Sequence, residues 1–163
     1  MKLIVFLLAG FSLAYAQSAL SRRAPGFSLP DLRLRQHDLQ VYKGKVVVIE
    51  FMQTTCPKCQ DVTTKLEQVK ARYGDKIAVF SVVTQPDNQV SVNRYIQSYK
   101  ATSTFLFDCG QMTASYLQIT PQNPSVHFPH ILIIDKAGMI RRDIYEGAME
   151  TPEILAAIEP LLK

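Results

Sequence analysis

Apolar residues run almost unbroken through three short stretches, Val46–Phe51, Ile77–Val83 and Ile131–Ile134, and more weakly through Met139–Tyr145. Runs this short and this apolar mark strands of a sheet covered on both faces. Between them the period changes. Val62, Leu66, Val69 and Tyr73 fall on one face of a helix over Cys59–Tyr73, with Gly74 as its stop. Val92, Tyr95, Ile96 and Tyr99 do the same within Asn88–Lys100, with Asp87 or Asn88 as cap. Thr151-Pro152-Glu153 starts a last helix through Ile154, Leu155, Ile158 and Leu161, which Pro160 kinks or ends. Asp135-Lys136-Ala137-Gly138 closes a tight hairpin between the last two strands. This alternation predicts an α/β domain with a central mixed sheet flanked by helices, over residues 24–163. Gln17–Arg23 reads as a polar lead into it.

The N-terminus breaks the pattern. Lys2 precedes an apolar run, Leu3–Ala14, and Ala14-Tyr15-Ala16 supplies the small-x-small spacing of a cleavage site. Residues 1–16 are therefore expected to be a signal peptide, with a retained N-terminal membrane anchor as the alternative. The run falls short of the roughly 20 apolar residues that span a bilayer.

The 163 residues, 47% of them hydrophobic, suffice for one domain with its own core. A net charge of +4 is not gathered into any long basic run, so nucleic acid is not an expected partner. Three cysteines are too few for a disulfide scaffold or a four-thiolate zinc site. In an oxidising compartment the count favours redox chemistry.

Two of those cysteines form Cys56-Pro57-Lys58-Cys59, at the junction of a strand and a helix. A sulfur there faces the unpaired amides and positive end of the helix, which favour thiolate over thiol. Pro57 costs no hydrogen bond in the first turn, and Lys58 adds positive charge. The spacing puts Cys59 one turn on, able to close a disulfide onto Cys56. An exposed attacker and a shielded resolver are what thiol–disulfide exchange requires. Half of a metal site and a structural disulfide are the competing readings. Glu50 is a carboxylate inside an apolar run. If buried, it holds its proton more tightly and can exchange protons with the second sulfur; otherwise it is a strand-end residue facing solvent.

Glu50 through Cys59 resembles the active-site stretch of thioredoxins, which carries a buried acid six residues before the first cysteine. Ala24-Pro25-Gly26-Phe27, the Lys43-Gly44-Lys45 turn and Ile133–Gly138 are similar to the extracytoplasmic branch of that superfamily. That branch includes the bacterial thiol–disulfide interchange proteins of the cytochrome c maturation type, and it borders the AhpC/TSA group. The resemblance implies a thioredoxin-like fold with the extra strand–helix insertion of that branch, Asn88–Lys100 being its helix. It also implies a cis-proline at Pro129, after Phe128, packed against the cysteine pair and exposing backbone for a substrate chain. It makes Cys56 the attacker, Cys59 the resolver and Glu50 the proton carrier, with Thr55 and Phe128 beside the substrate. The cofactor would be none beyond a redox-active Cys56–Cys59 disulfide. The partners would be protein thiols or disulfides and a membrane or periplasmic thiol donor that resets the pair. The chain is expected to be a soluble periplasmic monomer.

Several residues depart from that pattern. Thr55 stands where the family usually has Trp, and the chain has no Trp at all. The Pro57-Lys58 interior differs from the more familiar dipeptides, so it does not set the direction of electron flow. The Ile119–His127 loop is longer than usual before the cis-proline and is expected to border the substrate groove. Cys109 is expected in a turn, as a reactive or incidental thiol. Two alternatives stand beside disulfide exchange. A peroxiredoxin-like peroxidase resembles Pro-x-x-x-Thr-x-x-Cys, but Ile49 and Gln53 hold those positions here. A copper carrier would enlist His127 and His130, whereas such carriers resemble Cys-x-x-x-Cys; satisfied or solvent-facing histidines are the plainer expectation.

Overall fold

The computed structural model describes residues 21–145 and 149–163, so the expected signal peptide lies outside the described residues. Among the described residues eight strands and four α-helices form: β1 (Arg22–Arg23), β2 (Ser28–Pro30), β3 (Gln36–Asp38), β4 (Val46–Met52), α1 (Pro57–Tyr73), β5 (Ile77–Val83), α2 (Gln89–Tyr99), β6 (Thr104–Phe107), α3 (Gln111–Tyr116), β7 (His130–Ile134), β8 (Met139–Ile144) and α4 (Thr151–Ile158). Six strands make one sheet in the order β1-β8-β7-β4-β5-β6, and β2 and β3 pair separately. β4 runs parallel to β5 and antiparallel to β7, which gives the expected mixed sheet.

Every residue of β4 is buried, as its continuous apolar run requires. Alternation then assigns its side chains. Val46 and Val48 meet Val62 and Leu66 of α1 and Ile154 of α4. Val47, Ile49 and Phe51 turn to the other face, where Phe27, Leu39 and Tyr116 cover them. α2 packs at the end of the α1 face, placing Val92 and Tyr95 against Met52, Cys59 and Phe105.

The boundaries sharpen several expectations. α1 starts at Pro57 rather than Cys59, because Cys56 is its N-cap. Asn88, not Asp87, caps α2, in a reciprocal capping box with Ser91. β8 ends at Ile144, and Pro160 sits in a 3-10 turn after α4 has ended. Gly138 closes the hairpin with φ +81, the left-handed region that glycine enters freely. Arg22–Arg23, read as part of the polar lead, joins the sheet as β1 by pairing with β8. α2 is followed by β6, which extends the sheet in parallel beside β5, the strand–helix addition that the resemblance implies.

Candidate active site

β4 leaves the sheet at Met52, and four residues later Cys56 caps α1. Its Sγ stands where a capping oxygen usually does and accepts a hydrogen bond from the Cys59 backbone N–H at 3.3 Å. Pro57 occupies the first turn, and the Cys56 N–H donates to the Gln53 carbonyl at 3.1 Å. The Cys56 thiol also points at the Phe128 carbonyl, 3.8 Å away. The peptide bond from Phe128 to Pro129 is cis. Phe128 packs beside Cys56 at the edge of the cluster that contains Cys59. Thr55, Pro57 and Lys58 are exposed around the half-buried Cys56.

Cys59 is fully buried, and both cysteines are free thiols. Burial pushes the Cys59 thiol well up, the adjacent Cys56 sulfur and the Glu50 charge push the same way, and a Gln53 backbone hydrogen bond opposes them. The pair is thus asymmetric, with one sulfur at the surface on a helix end and the other enclosed. Only the outer one is open to a protein substrate.

Glu50 is also fully buried, so the solvent-facing reading of this residue does not hold. Strand alternation aims it under α1. Its Oε2 accepts from the Ser81 hydroxyl of β5 at 3.1 Å, and its Oε1 has no hydrogen-bond partner. Burial is the main cause that raises its carboxyl to about 8; Glu67 adds to the rise, and the Ser81 and Thr63 hydroxyls partly offset it. A carboxyl balanced near neutrality beside a reluctant thiol can accept and return a proton at working pH.

The structure adds a support that sequence reasoning missed. Asp87 accepts from the Thr54 backbone N–H at 2.9 Å and from the Thr54 hydroxyl, and Ser91 donates to the same carboxylate at 2.9 Å. The start of α2 thereby fixes the loop that delivers Cys56. In sequence Asp87 shows only as a possible helix cap.

The remaining candidates lie apart from this arrangement. His130 is buried, bonded through Nε2 to Asp143 and stacked on Tyr145 at 5.1 Å; His127 is exposed. Among the described residues no group of three His, Cys, Asp or Glu side chains is placed to hold a metal ion. Cys109 is exposed between β6 and α3. In the Ile119–His127 loop, Thr120 and Asn123 exchange backbone hydrogen bonds of 3.1 and 3.0 Å around an exposed turn.

The AhpC/TSA family model matches residues 20–143. The chain is 30% identical over 135 residues to the thioredoxin-like protein YneN of Bacillus subtilis, covering 82% of this chain and 75% of that protein. It is 24% identical over 143 residues to the thiol-disulfide oxidoreductase ResA of Geobacillus thermodenitrificans, covering 88% of this chain and 78% of that one. A thiol:disulfide interchange protein of the thioredoxin family from Chlorobium tepidum superposes with a TM-score of 0.76 at 16% identity, over 90% of this chain and 99% of that one. A secreted disulfide oxidoreductase of Mycobacterium tuberculosis gives 0.68 at 19% identity, over 83% and 96%. These two likenesses establish the thioredoxin fold.

Proposed function

The chain belongs to the AhpC/TSA family, and from that premise we propose that it is a thiol–disulfide oxidoreductase that exchanges disulfides with protein substrates through Cys56 and Cys59. One observation carries this reading: the half-buried Cys56 sulfur caps α1 directly beside the enclosed Cys59. Relatives named thiol-disulfide oxidoreductases support it.

In the reducing direction the Cys56 thiolate attacks a substrate disulfide. A mixed disulfide forms, and the first substrate sulfur leaves with the electron pair of the broken bond. Cys59 then passes its proton to Glu50 and attacks Cys56. The mixed bond breaks, the second substrate thiolate departs, and the pair is left oxidised while the substrate has gained two electrons. The oxidising direction is the same sequence reversed. Phe128 and the cis-Pro129 would line the substrate chain, with Thr55 at its edge, and a membrane or periplasmic thiol donor would reset the pair. The chain would act after export and removal of residues 1–16, as a soluble periplasmic protein. A peroxidase reading is less well supported, because the positions where its Pro and Thr belong hold Ile49 and Gln53.

The test is Cys59→Ser in the source cell. Without the resolver, substrates stay bound to Cys56 as mixed disulfides released by dithiothreitol. Recovery of none, with no consumption of model disulfides by the unaltered protein, contradicts the reading.

A further inference from the structure

In the buried space between α1 and α2, the Thr63 hydroxyl and the Tyr95 phenol lie 2.8 Å apart, and either oxygen can be the donor. Thr63 is one turn beyond Cys59 on the buried face of α1, and Tyr95 packs in the same cluster as Cys59. On this face Glu50 leaves its Oε1 unpartnered in a fully buried position. Such an oxygen is costly when charged, so whatever donor can turn toward it governs how readily Glu50 ionises.

A threonine hydroxyl has one hydrogen to give. If Thr63 donates to Tyr95, nothing remains for Glu50. If Tyr95 donates to Thr63, the Thr63 hydrogen is released for the carboxylate. Burial pushes the Tyr95 phenol well up, so it keeps its proton throughout the working range and remains a donor. The groups facing Glu50 are Cys59, Thr63 and Glu67 from α1, Tyr95 from α2 and Ser81 from β5. Ile131 stands opposite on β7, and α4 brings the apolar Ile154 and Ile158 to that face. With no cation among these neighbours, the hydroxyls are the groups that can favour the charged carboxylate.

We propose that Tyr95 is a positioning residue for the proton step at Glu50: its phenol donates to Thr63 and so commits the Thr63 hydroxyl hydrogen to the carboxylate that accepts the Cys59 proton. The Cys59 S–H bond breaks as a Glu50 O–H bond forms, and the thiolate is then free to attack Cys56. Once Glu50 is neutral, the two hydroxyls can reverse. This inference rests on the proton role assigned to Glu50 under the proposed function.

The experiment follows the resolving step alone. The full chain is loaded at Cys56 with a chromogenic aryl thiol, and release of that thiol is timed from pH 5 to 10. Thr63→Val, which removes the donor itself, is expected to move the profile up by about one pH unit, slowing release about tenfold below the midpoint. Tyr95→Phe, which removes only the donation that polarises the Thr63 hydroxyl toward the carboxylate, is expected to move it the same way by a smaller, resolvable amount. Thr63→Ser, which restores the hydroxyl, is expected to return it toward the parent profile. In a Glu50→Gln background, Tyr95→Phe is expected to have no further effect. If Tyr95→Phe matches the parent while Glu50→Gln alters the profile, the inference about Tyr95 fails and the role of Glu50 stands. A Tyr95→Phe shift that persists in Glu50→Gln also overturns it, since the effect then bypasses the carboxylate. If Glu50→Gln itself leaves the profile unchanged, the underlying reading fails. Should Tyr95→Phe not fold, Thr63→Val and Thr63→Ser decide the matter by the same criteria.

Discussion

Asp87 holds Thr54 by two hydrogen bonds, one from the backbone N–H and one from the side-chain hydroxyl, across 33 positions of sequence. Thr54 is two residues before Cys56, so the attacking sulfur is placed by a carboxylate at the mouth of α2. Bonds to a charged acceptor typically contribute about 1.5–3 kcal/mol, less where solvent competes. Asp87→Ala is expected to lower stability to urea by about 1–2 kcal/mol and to slow attack by Cys56 on a small disulfide. Asp87→Asn, which can still accept from the N–H, is expected to fall between. Unchanged unfolding and attack rates in Asp87→Ala would show that the loop holds itself.

Glu50 gives a stability signature with a definite sign. Its carboxyl rises from an ordinary value of 4.5 to about 8 in the folded chain, mainly through burial. Between those values the folded state keeps a proton that the unfolded state has lost, so this group makes stability fall as pH rises. The slope is at most about 1.4 kcal/mol per pH unit. Glu50→Gln is expected to remove that slope, and the variant-minus-parent difference in stability should grow from pH 5 to pH 8 and level off above. A flat difference in urea midpoints across that range would mean Glu50 is not held protonated.

These two residues also mark how far the sequence can be read. The continuous apolar runs of β4, β5 and β7 and the period of α1 and α2 make the sheet and its main helices legible in the sequence. β6 was hidden because Thr104–Phe107 is only four residues long, and β1 because the two charged residues Arg22–Arg23 carry no apolar pattern and meet their partners, β8 and the Tyr116 carbonyl, only in the fold. The cysteine pair was legible, since its chemistry lies within four consecutive residues. Whether Glu50 was buried was not, because the outcome depends on α1 folding over it and on Ser81 arriving from another strand. Thr63 and Tyr95 read only as helix residues, and Asp87 only as a cap, because their partners lie about thirty positions away.

The Ile119–His127 loop carries an exposed turn over Thr120–Pro124 that leads toward Phe128. Shortening that turn is expected to leave the unfolding midpoint within about 0.5 kcal/mol of the parent, as surface changes usually do. Rates with protein disulfides should change and those with small disulfides should not. Equal rates on every protein disulfide tried would remove the loop from substrate choice.

Cys109 is exposed and free, at the start of the turn into α3. Cys109→Ser is expected to leave exchange rates unchanged in a steady-state assay with a protein disulfide. A clear loss of turnover would require a third sulfur in the cycle.

The most direct measurement is a thiol count with peptide mapping after the reduced chain meets one equivalent of a protein disulfide. The account predicts that Cys56 and Cys59 are recovered joined to each other, with two substrate thiols freed per chain and Cys109 still reduced. Recovery of Cys56 and Cys59 as free thiols, with the substrate disulfide intact, would contradict it.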